Sequence, residues 1–206
     1  MASIARILVN RVQKNIELSG MVLDLGSRNS DIEFYKRYYT ISDKIKIHKV
    51  DLYHGNSETI KIDLNKVSEF KNKYDIILSF NLLEHLNNPN NFFKNINNSL
   101  NSNGVAYLMT PFMYPYHADP FDYFRPTFDY LRHLSLNNSL YVSEETPIGV
   151  GPFHVFFNYI SLVFNITPLS KFLLILAILF DGFLKKIGLK SNNFFIYTLV
   201  KLKKIK

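Results

Sequence analysis

The sequence predicts an α/β fold, a doubly wound and mostly parallel sheet with an apolar helical insertion before its last strand. Three observations lead there. Short apolar runs alternate with helical segments from residue 21 to residue 110, as in a parallel sheet covered by helices. These runs end at Gly26, Asp51, Asp63 and Asn81, and ligands of such sheets sit outside the carboxyl ends of the strands, so the four should converge on one edge. A strongly apolar tract at 153–189 precedes a final extended run, Phe194 to Val200, that completes the sheet.

Residues 3–17 read as an amphipathic helix, because Ile4, Leu8 and Val12 recur at helical spacing. Val22 to Ser30 follows as a strand, a turn and the start of a helix. Gly26 lets the backbone approach a ligand there, the next amides point at it, and the helix N-terminus adds partial positive charge. Extended runs at Ile45–Val50 and Thr59–Ile62 are each followed by an acid, and Tyr74–Asn81 leads into Leu83-Glu84-His85-Leu86. Phe92, Phe93, Ile96 and Leu100 make one face of a helix, so the asparagines around them are read as compositional bias. Gly104 turns the chain into a strand that runs to Thr110. Pro111, Pro115, Pro120 and Pro126 then forbid regular structure, which makes this span a loop at the carboxyl end of a strand. A helix near 127–136 and a strand near 140–144 follow. Pro168 divides the apolar tract, and its second stretch, Phe172–Phe180, is shorter than the ~20 residues a bilayer requires.

With 206 residues and 47% hydrophobic content, the chain can bury one full core, so 1–206 reads as a single domain with 153–189 inserted in it. The lack of cysteine excludes a disulfide framework and a thiolate metal site and favours the cytosol. Arg6 and Arg11 break the N-terminal apolar residues, which do not read as a secretory signal. The net charge of +7 gathers at one end, where eight lysines from Lys171 onward face only Asp181. Charge so placed argues against a nucleic-acid face and for one anionic surface, such as lipid headgroups. The expected location is cytoplasmic, peripheral to the inner face of the membrane. Attachment is expected through 153–189 and the lysines at 185, 186, 190, 201, 203, 204 and 206. A helical pair packed on the sheet, or in a homodimer, is the other reading of the same tract.

A dinucleotide-binding turn would need three glycines where this chain has only Gly26, with Arg28 and Asp31 at the others. The series of acids in register instead resembles the class I S-adenosylmethionine-dependent methyltransferases, over roughly residues 20–150 and again near the C-terminus. The resemblance implies S-adenosyl-L-methionine as cofactor, with Asp24, Gly26, Ser27 and Arg28 in its first loop. By the same resemblance Asp51 grips the ribose hydroxyls, Asp63 and Leu64 contact the adenine, and Asn81 lies beside the methionine end. The family pattern acid-x-Gly-x-Gly-x-Gly reads here Asp24-x-Gly26-x-Arg28-x-Ser30. Arg28 is left with two roles, a solvated side chain or a contact to the methionine carboxylate.

Methyl transfer is an in-line displacement that asks for alignment and for a nucleophile freed of its proton. In the proline-rich loop, His117, Asp119 and Asp122 are the candidate general bases, while Tyr123 and Arg125 would orient an acceptor. The bland alternative is an ion pair of Asp119 or Asp122 with Arg125 that pins the loop. His85, in the turn after the fourth long run, either faces the pocket or is structural. One imidazole and two carboxylates in an irregular loop are too nonspecific to predict a metal. The loop and the apolar insertion together resemble methyltransferases of surface-polysaccharide and lipid-linked glycan pathways, which implies a saccharide or lipid-linked acceptor methylated at oxygen. Two rivals stand beside this reading. One is a noncatalytic partner with a degenerate cofactor loop. The other is a nucleic-acid methyltransferase, disfavoured because Asn81-Leu82-Leu83-Glu84 lacks the Asn-Pro-Pro-aromatic run of amino-directed DNA enzymes.

Overall fold

A computed structural model describes residues 2–28 and 30–205; Met1, Asn29 and Lys206 lie outside it. Seven strands form one sheet in the order β3-β2-β1-β4-β5-β7-β6. They are β1 (Glu17–Leu25), β2 (Thr40–Val50), β3 (Thr59–Ile60), β4 (Tyr74–Phe80), β5 (Leu100–Pro111), β6 (Leu140–Ile148) and β7 (Tyr197–Lys204). Only β7 runs against its neighbours; the other pairs are parallel. Helices α1 (Ile4–Lys14), α2 (Ile32–Tyr38), α3 (Pro89–Ser99), α4 (Phe128–Asn137), α5 (Pro152–Phe164) and α6 (Thr167–Lys186) complete the chain. The expected α/β architecture is present, with the helical insertion between the last two strands. Strand order reverses at β1, which pairs with both β2 and β4, and a crevice opens at such a point.

Local chemistry explains most elements. Asn88 caps α3 by accepting from the Asn91 amide, and Pro89 opens its first turn. Its Phe92, Phe93 and Ile96 are wholly buried against Leu23, Leu25 and Leu108 of the sheet. The asparagines around it, read from sequence as bias, prove to be braces. No described residue from 61 to 73 lies in a helix or strand. The wholly buried Asn95 holds this segment through the Ser68 amide (2.8 Å) and the Lys66 carbonyl (2.8 Å). Asn65 accepts from the amides of Asn87 and Asn88. A loop that crosses the protein without a backbone ladder needs such side-chain partners.

Several boundaries differ from the sequence reading. The first helix stops at Lys14, and β6 runs on to Ile148 because β7 pairs with it along its length. The last strand is Tyr197–Lys204 and not 194–200, since its register with β5 and β6 overrides the apolar run that begins at Phe194. That strand carries Lys201, Lys203 and Lys204 away from the helical insertion, and Lys201 lies over the Tyr107 ring. The basic end is therefore split, and among the described residues only Lys171, Lys185, Lys186 and Lys190 stay with the apolar helices.

Asn165, in the left-handed region, ends α5, and Pro168 sits in the first turn of α6. The second helix is longer than the apolar stretch suggested. At 20 residues, with mean hydropathy 1.7, it is long and apolar enough to cross a membrane. The sheet forbids a single crossing, because β7 would then lie across the bilayer from β5 and β6, its partners along its whole length. The 13 residues of α5 reach about 20 Å and cannot supply the return across a hydrocarbon core of ~30 Å. The insertion is fixed to the sheet domain by polar groups instead. Asn158 and Ser161 of α5 accept from the Ala5 and Ile4 amides at the start of α1, satisfying donors that a helix N-terminus leaves unpaired.

Candidate active site

The carboxyl ends of β1, β2 and β4 bring Gly26, Asp51 and Asn81 together. The Gly26 and Ser27 amides donate to the Val50 carbonyl (2.8 and 3.3 Å), folding the loop after β1 over β2. Gly26 has φ +77°, and a side chain there would press on Leu82 at 3.1 Å. Asp51 is deeply committed: it accepts from the Arg28 amide (3.0 Å), the Tyr53 amide (3.0 Å) and the His54 amide (2.8 Å). Three of its roughly four acceptor positions are thus taken by backbone, so its first task is to shape the loop. The full two-hydroxyl grip on a ribose inferred from sequence is reduced to one remaining position.

Two cavities, of about 490 and 510 Å³, meet at Gly26, Arg28, Asn81 and His85. Asp51, Asp63, Leu64 and Tyr123 line the first, with Ile62 and Leu86 offering an apolar slot. Asp63 also accepts from the Asn65 amide, so it ends a turn as well as facing the cavity. Asp24, Ser27, Tyr114 and His117 line the second. Burial pushes the Asp24 carboxyl up to about 7, with Asp51 adding to the effect, while the Tyr35 hydroxyl donates to it at 2.6 Å. At the junction the Ser27 hydroxyl and the Asn81 amide oxygen are buried without a hydrogen-bond partner among the described residues. Unpaired polar atoms in a cleft are costly unless a ligand meets them. With the apolar slot, they fit a nucleoside cofactor that also carries a charged amino-acid end.

The proline-rich span is a loop, as expected, and its residues separate. Asp119 pairs with Arg28 and lies 4.0 Å from His54. It straps the first cavity and does not stand beside His117 as a second base. Asp122 is almost wholly buried and accepts from the His117 amide (2.8 Å) and from both terminal nitrogens of Arg125. The guanidinium holds its carboxyl down to about 2. Asp122 is therefore not the free base that the sequence suggested. Arg125 also donates to the carbonyls of Phe124 and Pro115, so it locks the loop and does not orient an acceptor. The bland pairing considered from sequence is the one that forms.

One functional residue escaped the sequence reading. Glu84 sits in the 3₁₀ turn Leu83–His85 after β4, wholly buried, and neither carboxylate oxygen accepts a hydrogen bond among the described residues. Its Oε1 lies 3.5 Å from Nε2 of His117 and 3.8 Å from Nε2 of His85. Glu84 raises the His117 imidazole above its usual range. The signal was present in the sequence, as an acid flanked by Leu82, Leu83 and Leu86 at the end of a strand. His85, by contrast, faces both cavities as one of its two readings held.

Comparison with known proteins agrees with this geometry. Residues 2–143 match the family model described as a methyltransferase domain. Similar solved structures include the O-methyltransferase of a trans-AT PKS multienzyme from Brevibacillus brevis with S-adenosyl-L-homocysteine, at 21% identity and TM-score 0.56 over 89% of this chain and 66% of that one. An S-adenosylmethionine-dependent methyltransferase from Mesorhizobium loti aligns over 95% of both chains at 11% identity and TM-score 0.58. The cyclase SpnF aligns over 98% of this chain and 84% of its own at 10% identity and TM-score 0.60, so likeness at this level fixes the fold and not the reaction. A search of curated proteins found no match. The family match, the strand order and the cleft at its switch point agree: the chain belongs to the methyltransferase domain family, with the fold of the class I S-adenosylmethionine-dependent methyltransferases.

Proposed function

We propose that the protein methylates an oxygen of a saccharide or lipid-linked acceptor at the cytoplasmic surface of a membrane. The observation that carries this reading is that α5 serves two surfaces. It walls the second cavity with Leu162 and Asn165 and turns Phe156, Val163 and Phe164 to the outside. An apolar hollow of about 400 Å³ between Pro115, Tyr159, Ile160 and Val163 lies beside it. A greasy acceptor tail suits that hollow, with its polar head in the cavity.

The outer face of α6 adds Phe172, Ile175, Leu179 and Phe183, all more than half exposed. Asp181, the only acid in the two helices, points inward to the His154 side chain and the amides that open α5. What remains outside is apolar surface with lysines at both ends of α6. An apolar face in the headgroup boundary gains burial energy, and each nearby lysine adds about 1 kcal/mol on an anionic leaflet.

When bound, S-adenosylmethionine supplies an electrophilic methyl group on sulfur. Gly26, Ser27, Asp51 and Asn81 would hold it, with Ile62, Asp63 and Leu64 around its base. Asp122 and Arg125 position His117, and the Glu84, His85 and His117 cluster marks where the acceptor hydroxyl gives up its proton. Incubation with methyl-labelled cofactor and with membrane and sugar-nucleotide extracts of the source cell tests the reading. Label in a lipid or saccharide fraction as an O-methyl ether is expected. Label confined to nucleic acid, or absent from all fractions, overturns it.

A further inference from the structure

We infer that Glu84, His85 and His117 form a binding site for a divalent transition-metal ion that presents the acceptor hydroxyl to the methyl donor. The chemical role rests on the oxygen transfer proposed above; the site rests on its own geometry. The three ligand atoms lie within 4.8 Å of one another. Tetrahedral ligation at about 2.1 Å sets neighbouring ligand atoms roughly 3.4 Å apart, close to the 3.5 and 3.8 Å from Glu84 to the two imidazoles.

The hydrogen bonds behind the rings decide what those atoms carry. Nδ1 of His85 meets the Phe121 carbonyl, and Nδ1 of His117 meets the Pro115 carbonyl at 3.1 Å. Carbonyls only accept, so Nδ1 is the donor in both rings, which leaves Nε2 of each ring turned toward Glu84. Asp122, 3.4 Å from Nδ1 of His117, backs that ring as carboxylates back metal-bound histidines. Three groups able to ligate a metal therefore face one another across one point. Glu84 is wholly buried, and both terminal nitrogens of Arg125 are engaged with Asp122. A buried carboxylate without a hydrogen bond is strongly unfavourable, and a cation between the three groups removes that cost.

The chemistry of the donors selects the ion. Two imidazoles and one carboxylate suit zinc, cobalt, manganese or iron better than magnesium or calcium, which take oxygen ligands. The placement selects the role, because His85 borders both cavities and His117 lines the second. An acceptor hydroxyl beside the cation loses its proton to solvent more readily. Its oxygen then forms the O–CH₃ bond as the C–S bond breaks, and the electron pair stays on sulfur, which becomes a neutral thioether.

The test uses chelator-stripped protein titrated with Co²⁺ alone, followed by its visible absorption, and with Zn²⁺ alone by calorimetry. One equivalent per chain is expected in the wild type. Glu84→Gln and His117→Ala should each weaken binding by more than about tenfold, while His133→Ala, on α4 away from the cleft, should leave it unchanged. Glu84→Gln removes a buried charge without changing shape, so its thermal midpoint should hold, which separates ligand loss from misfolding. Stripped protein should keep its affinity for S-adenosylhomocysteine and lose methyl transfer until metal is restored. No binding of either ion by the wild type, or equal binding by Glu84→Gln, overturns the metal site. Stoichiometric binding without methyl transfer to any oxygen upholds the site and overturns the oxygen reading beneath it.

Discussion

The cleft and the α5–α6 hairpin solve opposite problems with the same residue types. At the cleft, most acids are answered one by one, Asp51 by three amides, Asp122 by Arg125 and, nearer solvent, Asp119 by Arg28, while the buried Glu84 accepts no hydrogen bond among the described residues. On the hairpin, Asn158, Ser161, Ser170 and Asp181 face inward, while Phe156, Val163, Phe172 and Leu179 face out. A helix pair with polar groups inside and a broad apolar face outside is a surface for interaction, which the function proposed above assigns to a membrane.

The sharpest way to break this contrast is to remove the side chain on which the cleft depends. Asp51→Ala frees three amides and should lower affinity for S-adenosylhomocysteine roughly ten- to a hundredfold by calorimetry, because a charge-assisted contact is worth about 1.5 to 3 kcal/mol. Vesicle binding should not change. Unaltered cofactor affinity in a folded Asp51→Ala protein would mean that the loop after β1 is held by something else.

A comparable loss should appear at the other region. The double variant Phe172→Glu and Leu179→Glu should abolish flotation with anionic liposomes and leave cofactor affinity within about twofold, since each buried apolar side chain contributes about 1.5–3 kcal/mol. If wild-type protein floats with neither anionic nor neutral vesicles and elutes as a stable dimer, the outer face is an oligomer contact and the membrane reading fails. Neutralising Lys185, Lys186 and Lys190 to Gln should have a smaller effect, confined to anionic vesicles and fading at high salt.

Asp24 offers a pH handle on the cleft alone. Its carboxyl is raised in the folded protein to about 7 from an ordinary 3.8, mainly by burial. The stability it contributes is therefore fully present below about pH 3.8 and is lost as pH rises through 7. Relative to wild type, Asp24→Asn should flatten the fall in urea midpoint between pH 4.5 and pH 8. Parallel curves for the two proteins would show that Asp24 is ionised throughout. The smallest effect should come from Arg28→Ala, because the exposed Arg28–Asp119 pair is worth less than about 1 kcal/mol in stability.

How much of this was legible in the sequence depended on distance along the chain. The strands, the acids at their ends, the proline-rich loop and the break at Pro168 rest on period and near neighbours, and all were readable. The roles inside the loop were not. Whether Asp122 serves as a base or a brace depends on where Arg125 points, and both arrangements suit the same residues. Asp119 crosses to Arg28, and His117 meets Glu84, only after the loop docks on the sheet edge.

By itself, then, the sequence determined the α/β alternation, the convergence of Gly26, Asp51, Asp63 and Asn81 at one edge, and the presence of an apolar insertion. These follow from local periodicity and from the rule that parallel strands present their carboxyl ends together. The tertiary structure alone decided that asparagines lace an irregular segment to α3, that β7 carries its lysines away from the hairpin, and that a membrane-length helix is forbidden to span. It alone decided that Glu84, His85 and His117 share one point. Each is a long-range contact, fixed by how β5, β6 and β7 pair and by how two loops pack. No local propensity encodes it, because the groups meet only when the whole sheet has formed.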